Sequence, residues 1–274
     1  MKKKILLTVT IIVLILSTSC MRKANKKPMK VEQKQKAPKT LIAIRDGVDD
    51  ILKKSEEIQK MLPLTEEELK IEKPETKKDE GGTAEDKKDK DKEKKPIPKD
   101  EVLIKEWKDI DKKIEEVHKQ WNSYEVEGVK KGATDEKRSN FKKNLNLFTL
   151  AVENRKITDI IDTGSKAYLS MATFFDLYKD DISGDLSRIK HAVHQSYLGV
   201  ERGNIENAKA ILGSTEEYIP RIKQKLGEDK TKIKNLEKLS LGISDMKQSL
   251  NEKNIKLLAI KRDIVLKNLK ELEK

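Results

Sequence analysis

Few side chains in this 274-residue sequence are of types and spacings that do chemistry. Cys20 is the only cysteine, so it cannot close an intramolecular disulfide and its thiol must serve some other end. Of the three histidines, His118, His191 and His194, the last two stand three residues apart on one predicted helix face, a spacing that can supply two metal ligands. Neither a cysteine nor a third histidine is positioned by sequence to complete such a site. The pair therefore reads as two solvent-exposed histidines beside an apolar stripe. Asp180-Asp181 followed by Gly184 and Asp185 lacks the alternating oxygen ligands and terminal glutamate of a calcium loop. There is no glycine-rich phosphate loop and no nucleophile elbow. The expectation is a non-catalytic protein with no catalytic residues, no metal site and no cofactor.

Cys20 gains its meaning from the residues before it. Lys2, Lys3 and Lys4 form a positive n-region, Ile5 to Leu16 an apolar h-region, and Ser17-Thr18-Ser19 supplies small residues just before the thiol. Crossing a bilayer as a helix takes roughly 20 apolar residues, more than this run provides, so residues 1–19 read as a signal peptide. A lone cysteine at its end resembles the lipobox of bacterial lipoproteins, with Thr18 and Ser19 matching the small positions and Ser17 standing where the pattern has leucine. The resemblance implies that Cys20 receives a diacylglycerol bearing acyl chains such as palmitate and becomes the mature N-terminus. The implied location is the extracytoplasmic face of the cell membrane, held by the lipid on Cys20. An ordinary secretory signal cleaved near Ser19, leaving a free thiol, is the other reading.

Composition limits the architecture of the remaining chain. The sequence is 39% charged, 35% apolar and 4% aromatic, against about 45–50% apolar in an average globular domain. Slender helices combined with disordered stretches satisfy that balance. The formal charge is +12, and removal of residues 1–19 takes away three lysines and no acids, leaving +9. For an exported, tethered chain the basic excess points to a membrane or an anionic wall polymer, not to nucleic acid.

The predicted organisation is a signal peptide (1–19), a disordered basic tether (20–39), a short helical segment (40–72), a disordered mixed-charge linker (73–100) and a helical bundle domain (101–274). The linker is plainest between Lys77 and Lys95, with eight lysines, seven acids and Ala84 as its only apolar residue. In the short segment Leu41, Ile44, Val48, Ile51, Ser55, Ile58 and Leu62 are spaced 3, 4, 3, 4, 3 and 4, the seam of a coiled coil. Thr40 is its expected N-cap, Pro63 its stop, and Thr65 with Glu68 a capping box. A helix this short is marginal alone. Its apolar stripe (Leu41, Ile44, Val48, Ile51, Ile58, Leu62) is expected to dock on the C-terminal heptads around Met246 to Ile264, to self-associate, or to capture a partner helix.

In the bundle domain Leu103, Trp107, Ile110, Ile114, Val117, Trp121 and Tyr124 lie on one stripe, which makes both tryptophans core residues. Further helices are expected from Thr134, near Thr158 (with Gly164 at a close helix approach), from Ser183-Gly184-Asp185, from Asn204, and again from Ser214 with Glu217. A long C-terminal helix over 230–274 carries Leu236, Leu239, Ile243, Met246, Leu250, Leu257, Ile260, Ile264, Leu269 and Leu272, with Lys253 as its polar intruder. The fold class is therefore all-α: a multi-helix bundle with a long C-terminal helix behind a signal peptide and disordered charged segments.

Trp107, Trp121, then Phe141-x3-Leu145-x2-Phe148 with Ala151-Val152-Glu153-Asn154-Arg155, Phe175-x-Leu177-Tyr178-Lys179 and Asp185-x2-Arg188-Ile189-Lys190 resemble a family of small helical lipoproteins from Clostridia and related Gram-positive bacteria. The resemblance spans about residues 101–215 and rests on core and capping positions. It implies the helical fold, the lipid anchor and a Gram-positive host, and no mechanism. The expected function is a non-catalytic binding or scaffold lipoprotein of the cell envelope with a protein partner; the alternative is a binder of anionic envelope polymers or of a small ligand. A catalytic head would show a polar cleft with converging acids and His191 or His194, a polymer binder a basic face, and a protein binder an apolar groove.

Overall fold

Apolar residues three and four apart give each predicted helix one oily stripe, and these stripes meet in one core in the computed structural model of the chain, which describes residues 35–71 and 98–274. The stretch read from sequence as a signal peptide, Cys20, most of the expected tether and most of the expected linker lie outside the described residues. The helices are α1 (Lys39–Met61), α2 (Glu66–Ile71), α3 (Lys99–Lys130), α4 (Asp135–Glu153), α5 (Ile157–Phe175) and α6 (Ser183–Glu201). They continue with α7 (Ile205–Gly213), α8 (Tyr218–Leu226), α9 (Lys230–Ser249) and α10 (Ile255–Glu273). There is no strand among the described residues, so the fold is an all-α multi-helix bundle. Residues 35–274 form one compact unit, and the helical segment and the bundle domain separated on sequence share a single core.

The heptad helix α1 docks on the bundle, though not where the sequence pointed. It lies along α3 and α5, antiparallel to α3, and Leu41, Ile44, Val48, Ile51 and Ile58 are fully buried there, while Leu62 is left exposed. Of the C-terminal helices α10 meets α1, and it does so through charged side chains instead of through its heptads. Gly164 explains how close the layers come. A β-carbon there would sit 2.7 Å from the Leu52 side chain of α1 and 2.8 Å from the Phe148 ring of α4, so α1, α4 and α5 touch at a point only glycine allows. Trp121 stacks among Tyr124, Phe141 and Phe174, with ring centroids 4.4–5.9 Å away, the densest part of the core. Trp107 differs from the expected core residue: it is half-buried, with the Arg155 guanidinium 4.8 Å over its ring.

The long C-terminal helix is two helices folded back on each other. Residues Leu250–Glu252 tighten into a 3-10 turn, Lys253 adopts a left-handed φ of 52°, and the Asn254 side chain accepts from the Leu257 amide to start α10. The break resets the helical phase. Leu258, Arg262, Val265, Leu269 and Leu272 face inward and Ile260 and Ile264 face out, so the apparently continuous stripe through 257, 260 and 264 is misleading. Gly242 of α9 faces α10, where a β-carbon would sit 3.2 Å from the Asn268 side chain.

The expected caps form only in part. Thr65 and Glu68 do make the capping box, and Thr134 and Asn204 cap α4 and α7. Thr40 does not cap α1, which begins after Pro38. α6 is opened by Asp181, whose carboxylate accepts from the Ser183 amide, and Ser214–Glu217 form a 3-10 turn instead of a capping box.

Candidate functional site

α1 uses two adjacent faces. The heptad stripe goes to α3 and α5, and a second set spaced 4, 3 and 4, namely Asp49, Lys53, Glu56 and Lys60, borders a cavity of about 460 Å³ opposite α10. Lys190 and His194, one turn apart on α6, reach it from below together with Tyr168 of α5. α10 closes the far side with Asp263, Leu266, Lys267, Lys270, Glu271 and the terminal Lys274. Because the end of α10 runs beside α1 without interdigitating, the space between them stays open.

At one end of the cavity the charges are paired. The Lys190 ammonium lies 2.6 Å from Asp49 and 2.7 Å from Glu273, and the Tyr168 hydroxyl donates to Asp49. Arg45 approaches Glu273 at 3.5 Å and donates to Ser183, joining α1, α6 and α10. Burial, reinforced by the Asp49 carboxylate, pushes the Tyr168 hydroxyl well above its ordinary value, so it stays a donor.

The middle of the cavity is not complete. Glu56 and His194, 9% and 3% exposed, each hold a buried polar atom with no hydrogen-bond partner among the described residues, Oε1 and Nδ1, 3.9 Å apart. Arg262 stands behind Glu56 at 3.3 Å, near enough for charge attraction but without hydrogen-bond geometry. Burial lifts the Glu56 carboxyl above its usual range against the pull of Arg262. Burial, with Arg262 and Lys190 nearby, drops His194 to about 3, which leaves it a neutral imidazole at physiological pH.

His194 is thus not the exposed residue expected from sequence, and His191 does not join it: its Nδ1 faces the Ser165 carbonyl at 3.0 Å. His118 is bound to Thr149 on the neighbouring helix at 2.8 Å. No group of three histidine, cysteine or acidic side chains is placed to hold a metal among the described residues. The acids near 180 are structural. Asp180 and Asp181 accept from the Gln35 and Ala37 amides, pinning the segment that leads into α1, and the fully buried Asp185 anchors Arg221 and Lys225 of α8.

Sequence reasoning missed Asp49, Glu56, Tyr168, Lys190 and Arg262. A signal existed for the first two, since a polar 4-3-4 row flanks the heptad seam of α1. None existed for the phase change that turns Arg262 inward.

No helix among the described residues is long and apolar enough to cross a membrane. No family model, curated protein or solved structure matches the chain.

Proposed function

We propose that this chain is an extracytoplasmic lipoprotein, anchored to the cell membrane through a lipid on Cys20, whose helical head acts as a non-catalytic binding protein with the cavity between α1, α6 and α10 as its ligand site. The observation that carries the binding role is the cavity floor, where Glu56 and His194 are buried yet only partly satisfied. Buried polar groups are nearly always hydrogen-bonded, and of the buried side-chain atoms without a partner among the described residues those of Glu56 and His194 are the ones that line the cavity, which suits a molecule that completes them. Acids do converge on a histidine here, the arrangement a catalytic head would show, but the chemistry favours binding. No serine, threonine or cysteine lines the cavity among the described residues. His194 is too weak a base for work near neutrality, where a catalytic base is most effective with a pKa close to the ambient pH. The anchor is supported by the lysine n-region, the short h-region and the lone cysteine after Ser17-Thr18-Ser19.

Two measurements test this reading. Cys20→Ala should shift the protein from the membrane fraction to the medium or leave an unprocessed precursor; a variant still membrane-bound after signal removal would refute the lipid anchor. The dialysable small-molecule fraction of an envelope extract should raise the melting temperature of the full chain in detergent, because a ligand that binds only the folded state stabilises it. Leu266→Trp, which fills the cavity from α10, should abolish the rise. An equal rise in that variant would place binding elsewhere.

A further inference from the structure

The cavity leaves two opposite demands unmet, and their placement defines a class of ligand. On the floor, the unpartnered Oε1 of Glu56 and Nδ1 of His194 lie 3.9 Å apart. A carboxylate oxygen accepts only, and a neutral imidazole accepts at one of its nitrogens, so the pair suits a donor with more than one N–H. At the mouth, Lys53, Lys60 and Lys274 are each matched by an acid, Glu57, Asp263 and Glu271, at 3.6, 3.2 and 2.8 Å. Lys267 and Lys270, one turn apart on α10, have no carboxylate within ion-pair distance among the described residues, and both line the cavity. Cations without a paired acid therefore stand across from acceptors that have no hydrogen bond, one of which, Glu56, has only the Arg262 guanidinium at 3.3 Å behind it.

We propose that the cavity binds a small zwitterion, its ammonium seated between Glu56 and His194 and its anionic group held by Lys267 and Lys270. A simple anion would fill the mouth and leave the floor acceptors unmet beside an added negative charge. A simple cation would have to pass two unpaired lysines. The 460 Å³ volume lies in the range of about 300–1,000 Å³ usual for small-molecule pockets. The same chemistry comes from the two ends of an amino acid or short peptide and from a phosphoethanolamine headgroup. The assignment rests on the binding role proposed above.

The test is calorimetric titration of the full chain in detergent with dialanine, N-acetyl-dialanine, dialanine amide and glycerophosphoethanolamine. Saturable binding of dialanine or of glycerophosphoethanolamine is expected, and whichever binds more tightly identifies the source. If the peptide binds, acetylation and amidation should each abolish its binding. Lys267→Ala/Lys270→Ala, at exposed positions that leave the core intact, should weaken the bound probe roughly tenfold or more, and Glu56→Gln should do the same. Capped peptides that bind as well as dialanine, or binding indifferent to these substitutions, would overturn the proposal. If both zwitterions fail while inorganic phosphate or spermidine binds in a manner sensitive to Lys267→Ala/Lys270→Ala or Glu56→Gln, the ligand class is wrong and the cavity remains a binding site. If none of these probes gives substitution-sensitive binding, the proposal and the cavity's binding role fall together.

Discussion

Two halves of this bundle bury their side chains for different purposes. Between α3, α4 and α5, Trp121, Tyr124, Phe141 and Phe174 form an aromatic cluster. Between α1, α6 and α10, the buried side chains include Arg45, Glu56, Lys190, His194 and Arg262, and the space among them is not filled. Dispersion and loss of apolar surface to water are the main stabilising terms in the first half. In the second, each desolvated charge costs several kcal/mol unless a partner is placed for it, so such a region contributes little net stability. The contrast separates the part that holds the fold from the part that carries specificity.

The sharpest way to break the contrast is to remove its anchors one at a time. Trp121→Ala should have the largest effect, a loss of about 3–5 kcal/mol, because a ring enclosed on several sides leaves a cavity that cannot collapse. Circular dichroism during urea unfolding reads this directly. A folded variant of near-normal stability would mean that the cluster is not the foundation of the bundle. Lys190→Met comes next at about 3 kcal/mol, since it nearly keeps the volume but strips the ammonium from Asp49 and Glu273 and leaves buried carboxylates short of a counter-charge. Adding Asp49→Asn and Glu273→Gln should recover part of that loss. If the triple variant is no better than the single one, Lys190 acts by packing and not by charge.

The two halves are unequally legible in the sequence. The aromatic half repeats apolar residues at helical spacing, and burial follows from spacing alone, so Trp121, Phe141 and Phe148 read correctly as core. The charged half obeys no such rule. Lys190 and Glu56 look like surface residues in one dimension, and they are buried only because helices distant in sequence close over them. Arg262 is hidden because the left-handed Lys253 and the Asn254 cap reset the phase of the last helix, a single-residue event inside a pattern that reads as continuous. The docking of α1 is foreseeable from its heptads, but a heptad stripe does not specify its partner, and α3 and α5 carry aromatic rings that residues 230–274 lack.

The charged half should also respond to pH where the aromatic half does not. His194 is held at about 3 in the folded chain against about 6.5 for a free imidazole. The unfolded chain therefore takes up this proton first, and stability falls as pH drops from about 6.5 to about 3, by an amount on the order of a few kcal/mol. Glu56 works in the opposite sense. Its carboxyl is raised in the fold, so its contribution is full below the unfolded value and is lost as pH rises through the folded one. The groups facing His194 are Glu56 from α1, Tyr168 from α5, Lys190 and His191 from α6, and Arg262 and Asp263 from α10. His194→Leu should flatten the acid side of the stability profile in urea unfolding, and Glu56→Gln should steepen it. A His194→Leu profile parallel to the unaltered chain's would show that the imidazole does not differ between folded and unfolded states.

The smallest effect separates two residues that share a stripe. Trp107 and Trp121 are fourteen positions apart on α3 and equivalent by spacing, yet only Trp121 is enclosed. Trp107 is packed at the edge of the core, and its ring is covered by Arg155, whose guanidinium is 4.8 Å from the ring centroid and donates twice to Asp111 at 2.6 Å. An arginine stacked on indole at a partly exposed site contributes about 0.5–1 kcal/mol, and an exposed ion pair about the same or less. Trp107→Ala should therefore cost about 1–2 kcal/mol, well below Trp121→Ala, and Arg155→Ala about 1 kcal/mol. The double variant should cost less than the two single losses added together, because ring and guanidinium are one contact. If Trp107→Ala proves as costly as Trp121→Ala, the aromatic half extends to the end of α3 and its boundary with the solvent-covered stretch lies elsewhere.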